Sequence, residues 1–597
     1  MSSNLPPSGP PSGPPGGPGW GPPTGPPPPP PYAPGGPETL ASGGGGPIPP
    51  GPPPSGAPGG RGRRKGLLVG GGLLGLLAVG GGAFAVYQVG FATGPQPAEA
   101  LPASTVGYVS VDLDPSGKQK LEALRVLNKF PAFADQVGVE EGDDLRQRFF
   151  EYVQDEGGCP DLSWKDDVEP WLGDRFAVAA VDVGDATDDE SGVAAVVVAQ
   201  VDDGDAATEG LDKITGCAEG DDAGAAVDVD GGWAVLAEDQ EVLDAVTSAR
   251  DDGTLADDDD FQRWTGETGD AGILTAYAAP EAGEFLGQLA ELGNALGGVA
   301  CAQPVLPDPT TGAPAPLPPE CTDTTEQDDP PASSAFDDFP GAALTVRFDD
   351  GGLELETATG VQTLDGADGG LSDRGGDVVA SLPEDTAIAL GAGFEDGWFD
   401  VLTGGLETYG GGGFDIEGGL STFEEQTGLS LPEDAETLFG DASAVAVSGD
   451  LDAATLEEGP AGQPIGLKVE GDPDAVARVM DQLLEDPGLQ EVVGEEFGYA
   501  TGDGEVAASF SQSWRDQLLE DGGLGETDDY RDVVAGSDDA AGVLFVNFDA
   551  GNWLTSVLDA SDAPQEVRDN LEPLAAAGLS GSIDGDVSHG VLRITTD

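Results

Sequence analysis

The feature that most constrains this chain is a run of 22 residues, Gly66–Tyr87, that carries no charge and consists almost entirely of Leu, Val, Gly, Ala and Phe. As a helix it would extend about 33 Å, close to the ~30 Å hydrocarbon core of a bilayer. It is too long, and too far from the N-terminus, for the apolar core of a signal peptide. Arg61, Arg63, Arg64 and Lys65 sit directly before it, and no other Lys or Arg precedes it. Basic residues stay on the cytoplasmic side, so the expectation is a single-pass protein of the cell membrane. Residues 61–91 form the basic flank and the span, the N-terminus is cytoplasmic, and everything after residue 91 lies outside. Gly66 and Gly70, and Gly71 and Gly75, are four apart. Small residues at that spacing let helices approach, which would allow a weak homodimer through the span.

Residues 1–60 contain 24 Pro and 17 Gly, with the aromatic residues Trp20 and Tyr32 standing alone. Such a segment buries too little apolar surface to offset the entropy of ordering it. It reads as a disordered cytoplasmic tail with polyproline II stretches such as Pro26 to Pro31.

The chain has 23 Lys and Arg against 111 Asp and Glu, a net charge of −88, and a single His. Four of the basic residues but only one acid, Glu38, precede the apolar run, so the exported part is more acidic still. Binding of DNA or RNA through phosphates is excluded, because that needs clustered Lys and Arg. A His-rich metal site is excluded as well. The acidity fits a salty or cation-rich exterior, where screening shortens self-repulsion, and equally a codon bias toward Asp, Gly, Ala and Val.

All four cysteines, Cys159, Cys217, Cys301 and Cys321, fall in the exported part. An even number there reads as two disulfides, with three connectivities open. The favoured pairing is Cys159 with Cys217 and Cys301 with Cys321. The second would close a Pro-rich insert at residues 296–340, a clip worth on the order of 3 kcal/mol in the loop-entropy model.

The exported part also repeats itself. Leu101-Pro102 followed by Thr105 to Val111 resembles Leu382-Pro383 followed by Thr386 to Ala392. Leu162-Ser163-Trp164 matches Leu429-Ser430-Leu431, and Leu172-Gly173-Asp174 matches Phe439-Gly440-Asp441. Further on, Gly232-Trp233-Ala234 matches Gly498-Tyr499-Ala500, and Ala271 to Leu274 matches Ala541 to Leu544. Two homologous halves are expected, 99–360 and 378–597, joined by a Gly/Asp-rich linker from Gly360 to Gly376.

Thr105 to Asp112 and Arg347 to Glu356 alternate as half-buried strands do, and Phe176 to Val183 and Val193 to Val201 read as central strands. Asp474 to Leu484 places Val476, Val479, Met480, Leu483 and Leu484 on one helical face, behind an Asp472 cap and Pro473. Leu121, Leu124 and Leu127 make a similar stripe. The fold class is α+β, each half a mainly antiparallel sheet with helices on one face, preceded by one transmembrane helix and the disordered tail.

Chemical constellations are weak. Asp112 to Gly117 resembles the start of a calcium loop, but its twelfth position is Ala123 and Lys118 and Lys120 lie inside it. A strand, an Asp-Pro-Ser-Gly turn and a helix explain these residues better. The acidic runs Asp188 to Glu190 and Asp257 to Asp260 read as solvated loops. His589 reads as a surface turn between two strands, and neither a Gly-x-Ser-x-Gly elbow nor a Walker A motif is present. No catalytic, cofactor-binding or metal residues are expected, and no cofactor.

The tail, the basic flank, the span and then Leu101-Pro102 to Ser116, leading into Leu121 to Pro131, resemble a family of membrane-anchored proteins of high-GC Gram-positive bacteria grouped as domain of unknown function 3352. That resemblance implies a Gram-positive envelope and no known activity. The expected function is a non-catalytic, membrane-anchored cell-envelope protein that binds a lipid, glycan or protein partner. The alternatives are a cation-dependent adhesive or scaffold module and, less favoured, a hydrolase.

Overall fold

A computed structural model describes residues 95–113, parts of 122–154, 162–187, 191–217, 225–283, 339–361, 370–409, 416–486 and 494–597, with a few single positions omitted. The tail, Arg61, Arg63, Arg64, Lys65, the run Gly66–Tyr87, Asp188 to Glu190, Cys159, Cys301, Cys321 and the side chain of Cys217 lie outside the described residues. Among the described residues no helix is long and apolar enough to cross a membrane.

The strands are β1 (Thr105–Asp112), β2 (Leu172–Asp182), β3 (Val193–Val201), β4 (Ala226–Asp230), β5 (Trp233–Ala237), β6 (Leu274–Ala278), β7 (Ala342–Asp349) and β8 (Gly352–Gly360). A two-residue strand β9 (Leu371–Ser372) follows. Then come β10 (Thr386–Phe394), β11 (Ala442–Ser448), β12 (Ile465–Glu470), β13 (Gly498–Thr501), β14 (Glu505–Ser509), β15 (Gly542–Asn547), β16 (Leu574–Asp584) and β17 (Val587–Thr596). The first eight pair antiparallel in the order β4-β5-β3-β2-β1-β6-β7-β8. The last eight pair antiparallel in the same order, β13-β14-β12-β11-β10-β15-β16-β17. The two series join edge to edge, β8 on β17, from Gly352↔Thr595 to Gly360↔Val587. The result is one antiparallel sheet.

Details recur along with the order. Register slips between Thr105 and Gly107 on β1, and between Thr386 and Ile388 on β10. Asp203 Oδ1 accepts from Asp205 and Ala206 N–H to open the helix Gly204–Cys217. Asp472 Oδ1 accepts from Asp474 and Ala475 N–H to open Pro473–Glu485. Ser163 N–H donates to Asp167 Oδ2 at 2.8 Å, as Ser430 N–H does to Asp434 Oδ2 at 2.7 Å. These carboxylates satisfy backbone donors that the first turn leaves unpaired.

Helices cover both faces of the outer strands, not one as the sequence suggested. β3 and β5 are apolar on both sides, and each side has its own cover. Val196, Val198 and Val235 meet Val242, Leu243 and Val246 of the helix Gln240–Asp252. Ala199, Val201 and Ala234 meet Ala207 and Leu211 of Gly204–Cys217 on the other side. In the second half, Ala446 and Ala507 meet Trp514 and Leu518 of Gln512–Leu518, while Val469 and Val506 meet Val476 and Met480 of Pro473–Glu485. A residue run that buries both of its faces needs two layers of cover.

Other differences from the sequence reading have local causes. Arg347 to Glu356 holds a hairpin, the end of β7 and the start of β8, turned at Gly351 with φ 85°. The stretch from Gly360 to Gly376 is more than a linker. Gly360 closes β8, and Gly375 and Gly376 open a helix, Gly375–Ala380, so close to Ala541 and Ser537 that a Cβ on either would collide with those carbonyls. Trp233 opens β5 whereas Tyr499 lies in β13, the counterpart of β4, so that sequence match joined different strands. The match of Ala271 to Leu274 with Ala541 to Leu544 is slipped by two residues. The carbonyl of Ile273 receives Asp112 N–H as that of Ala541 receives Gly393 N–H. A two-residue slip keeps the same face, so the hydrophobic pattern gave no warning of it. The buried positions in the stripe near Leu127 are Ala123 and Val126; Leu121 and Leu124 lie outside the described residues.

Candidate functional site

The central strands of the first half differ from the outer ones. One face of β1, β2, β6 and β7 packs under the helices through Tyr108, Ala177, Ala179, Tyr277 and Ala343. The opposite face borders a cavity of about 820 Å³. Its wall is Val109, Val111 and Leu113 from β1 and the segment after it, Phe176, Val178 and Ala180 from β2, and Ala195 and Val197 from β3. Leu274, Ala276 and Ala278 from β6, Ala342 and Leu344 from β7, and Thr357 and Thr359 from β8 complete it, with Phe339. Small residues make the space, since Gly107, Ala180, Ala195, Ala276, Ala278 and Ala342 stand where longer side chains would fill it. Next to it, Ala123 and Val126 close the same face against Val346 and Phe348.

Among the described residues no acidic, basic or histidine side chain lines this cavity, in a chain with 111 acids. Its few polar groups are already occupied. Thr357 Oγ1 donates to Gly590 O at 3.2 Å and Thr359 Oγ1 to Gly341 O at 2.9 Å. Tyr108 and Tyr277 are both 4% exposed and hold the ring of Phe261 edge-on, at 5.6 and 5.1 Å. Burial pushes both phenols well above the ordinary tyrosine range, so neither ionises near neutral pH. Such a wall can take up apolar surface and can do little acid–base chemistry.

Charges gather instead where they hold the fold. Glu354 on β8 binds Arg347 Nε at 2.5 Å and Arg593 Nε of β17 at 3.0 Å, across the junction of the two series. Arg347 also pairs with Glu356 and donates to the carbonyls of Thr268 and Asp270 at 2.9 and 2.6 Å. Arg263 to Asp586 at 2.8 Å, Lys129 Nζ to Thr596 Oγ1 at 2.9 Å and Ala132 N–H to Asn570 Oδ1 at 3.0 Å also cross that junction. Lys468 is buried beside Glu505 at 3.0 Å.

The residues singled out in the sequence scatter. Asp112, the first position of the calcium-loop resemblance, pairs with Arg175 at 2.9 Å and is 7% exposed. Asp258 caps the helix Asp259–Glu267, and Asp257 accepts from Thr254 Oγ1. His589 is inside β17, not in a turn, opposite Ser582 and Ala358, with Glu267 Oε2 3.8 Å from Nε2. Asp228, Asp244 and Asp251 border a second cleft of about 380 Å³ between β4 and Gln240–Asp252. Among the described residues no group of three or more His, Cys, Asp or Glu is placed to hold a metal ion. Sequence reasoning missed the cavity. Its one signal is that β1, β2 and β6 carry small or apolar residues on both faces.

No curated protein and no solved structure matches the chain significantly. A family model does match, over residues 68–459, from within the apolar run to beyond β11. On that match over more than half its length, the chain belongs to the family described as protein of unknown function, DUF3352.

Proposed function

We propose that this protein is a non-catalytic binding protein of the cell envelope, anchored by Gly66–Tyr87, that holds the aliphatic chain of a lipid against the first half of its sheet. The observation that carries the reading is the 820 Å³ cavity, among whose described lining residues there is no charged side chain. That size lies within the roughly 300–1,000 Å³ of pockets that enclose small ligands. Of the partner classes considered, a glycan needs free hydrogen-bonding groups and a protein partner needs polar ones at the rim; an alkyl chain needs only apolar area. In the same reading Arg61, Arg63, Arg64 and Lys65 keep the tail cytoplasmic, and Cys159–Cys217 and Cys301–Cys321 are disulfides of the exported part. The two halves, with their common strand order and caps, arose by duplication.

The test is binding of single-chain phosphocholine lipids of rising acyl length to the full-length chain held in amphipol, each lipid below its micelle concentration. Each added methylene buried contributes up to about 0.8 kcal/mol, about fourfold in Kd, until the cavity is full. A Kd that ignores chain length refutes the proposal.

A further inference from the structure

We infer that the second half carries its own seat for an aliphatic chain, so that one protein holds two; the inference rests on the lipid reading above. In the first half, Val178, Val109, Ala276 and Leu344 stand directly opposite one another across β2, β1, β6 and β7. All four line the cavity. In the second half, the strands of the same order, β11, β10, β15 and β16, place Val445, Leu390, Leu544 and Leu579 in the same row. These side chains are not buried under the fold. They are 45%, 58%, 38% and 43% exposed, on strands whose opposite face is packed through Ala389, Ala444, Val543 and Phe545.

Directly opposite residues share one face, and adjacent strands lie about 4.8 Å apart, so the row is a continuous apolar strip about 14 Å long. An exposed strip of this kind on a sheet marks a place that something covers. A second copy of the chain is a poor occupant, because it brings another net charge of −88. An alkyl chain brings no charge and matches a strip whose four side chains hold no polar atom. It is also the chemistry assigned to the equivalent row in the first half.

The experiment uses the full-length chain in amphipol and a lysophosphatidylcholine whose palmitoyl chain carries a photoactivatable diazirine, with crosslinked peptides mapped by mass spectrometry. Wild type is expected to crosslink in both rows. The double variant Leu390→Asp with Leu544→Asp, at exposed positions, is expected to lose the second-half crosslinks and keep those of the first half. Crosslinks confined to the first half in wild type overturn the second seat and leave the first standing. Absence of crosslinks from both halves overturns the lipid reading itself, and the second seat with it.

Discussion

Filling the cavity from its floor separates binding from folding. Ala276 sits on β6, directly opposite Val109 on one side and Leu344 on the other, and points into the 820 Å³ space. In Ala276→Phe the new ring enters existing room, so no packed neighbour has to move. Fully burying a phenylalanine side chain contributes about 1.5–3 kcal/mol, and less where the wall is open to water. Unfolding free energy in urea is therefore expected to hold or to rise by about 1 kcal/mol. Binding is expected to respond in the opposite direction. A phenyl ring displaces about four methylenes, so at about 0.8 kcal/mol each the loss is about 3 kcal/mol, on the order of a hundredfold in Kd. The assay is displacement of a fluorescent alkyl lipid from the full-length protein, with urea unfolding on the same preparations. Unchanged affinity in a stably folded Ala276→Phe protein refutes the assignment of the cavity as the seat. Ala278→Leu, on the same strand and wall, guards against a local failure to fold.

Three further outcomes follow from the charged groups. Glu505→Gln leaves the Lys468 ammonium, 3% exposed, without its carboxylate, and is expected to cost about 3–5 kcal/mol in urea unfolding. Replacing both by Met and Leu should recover most of that loss. Glu354→Ala strips a shared carboxylate from Arg347 and Arg593 and should cost about 3 kcal/mol. Because that carboxylate bridges β8 and β17, amide exchange should quicken in both strands. Partial desolvation, with Asp597 and Asp529 nearby, holds the Asp549 carboxyl above its ordinary range. A raised carboxyl favours the fold at pH below its unfolded value and loses that advantage as pH rises through its folded value. Asp549→Asn should therefore be more heat-stable than wild type at neutral pH, with the advantage gone once the pH falls below the ordinary carboxylate range.

Much of the framework was legible from residues alone. β3 falls at Val193–Val201 as its β-branched run requires, and the Asp472-Pro473 start places the helix Pro473–Glu485. The α+β class and the antiparallel sheet followed from strands separated by single helices. What pattern reading could not supply was the third dimension of the sheet. Val196 and Ala199 look alike in a strand apolar on both faces, yet one lies under Gln240–Asp252 and the other under Gly204–Cys217. Slips by even numbers of residues, as at Ala271 and Ala541, preserve the pattern and hide the register. The cavity escaped notice for the same reason. Ala180, Ala276 and Ala278 read as ordinary strand alanines, and only their gathering around one cavity gives them a role. His589 drew attention as the only histidine, but its place within β17 makes it part of the strand pairing that joins the two series.

The most direct measurement is of what the protein carries. Full-length wild type and Ala276→Phe are purified side by side from their own membranes without denaturant, exchanged into amphipol, and extracted with organic solvent for mass spectrometry. A lipid seat in the first half predicts an alkyl lipid retained by wild type in proportion to protein and depleted in Ala276→Phe. Equal lipid in the two preparations, or none in wild type, contradicts it.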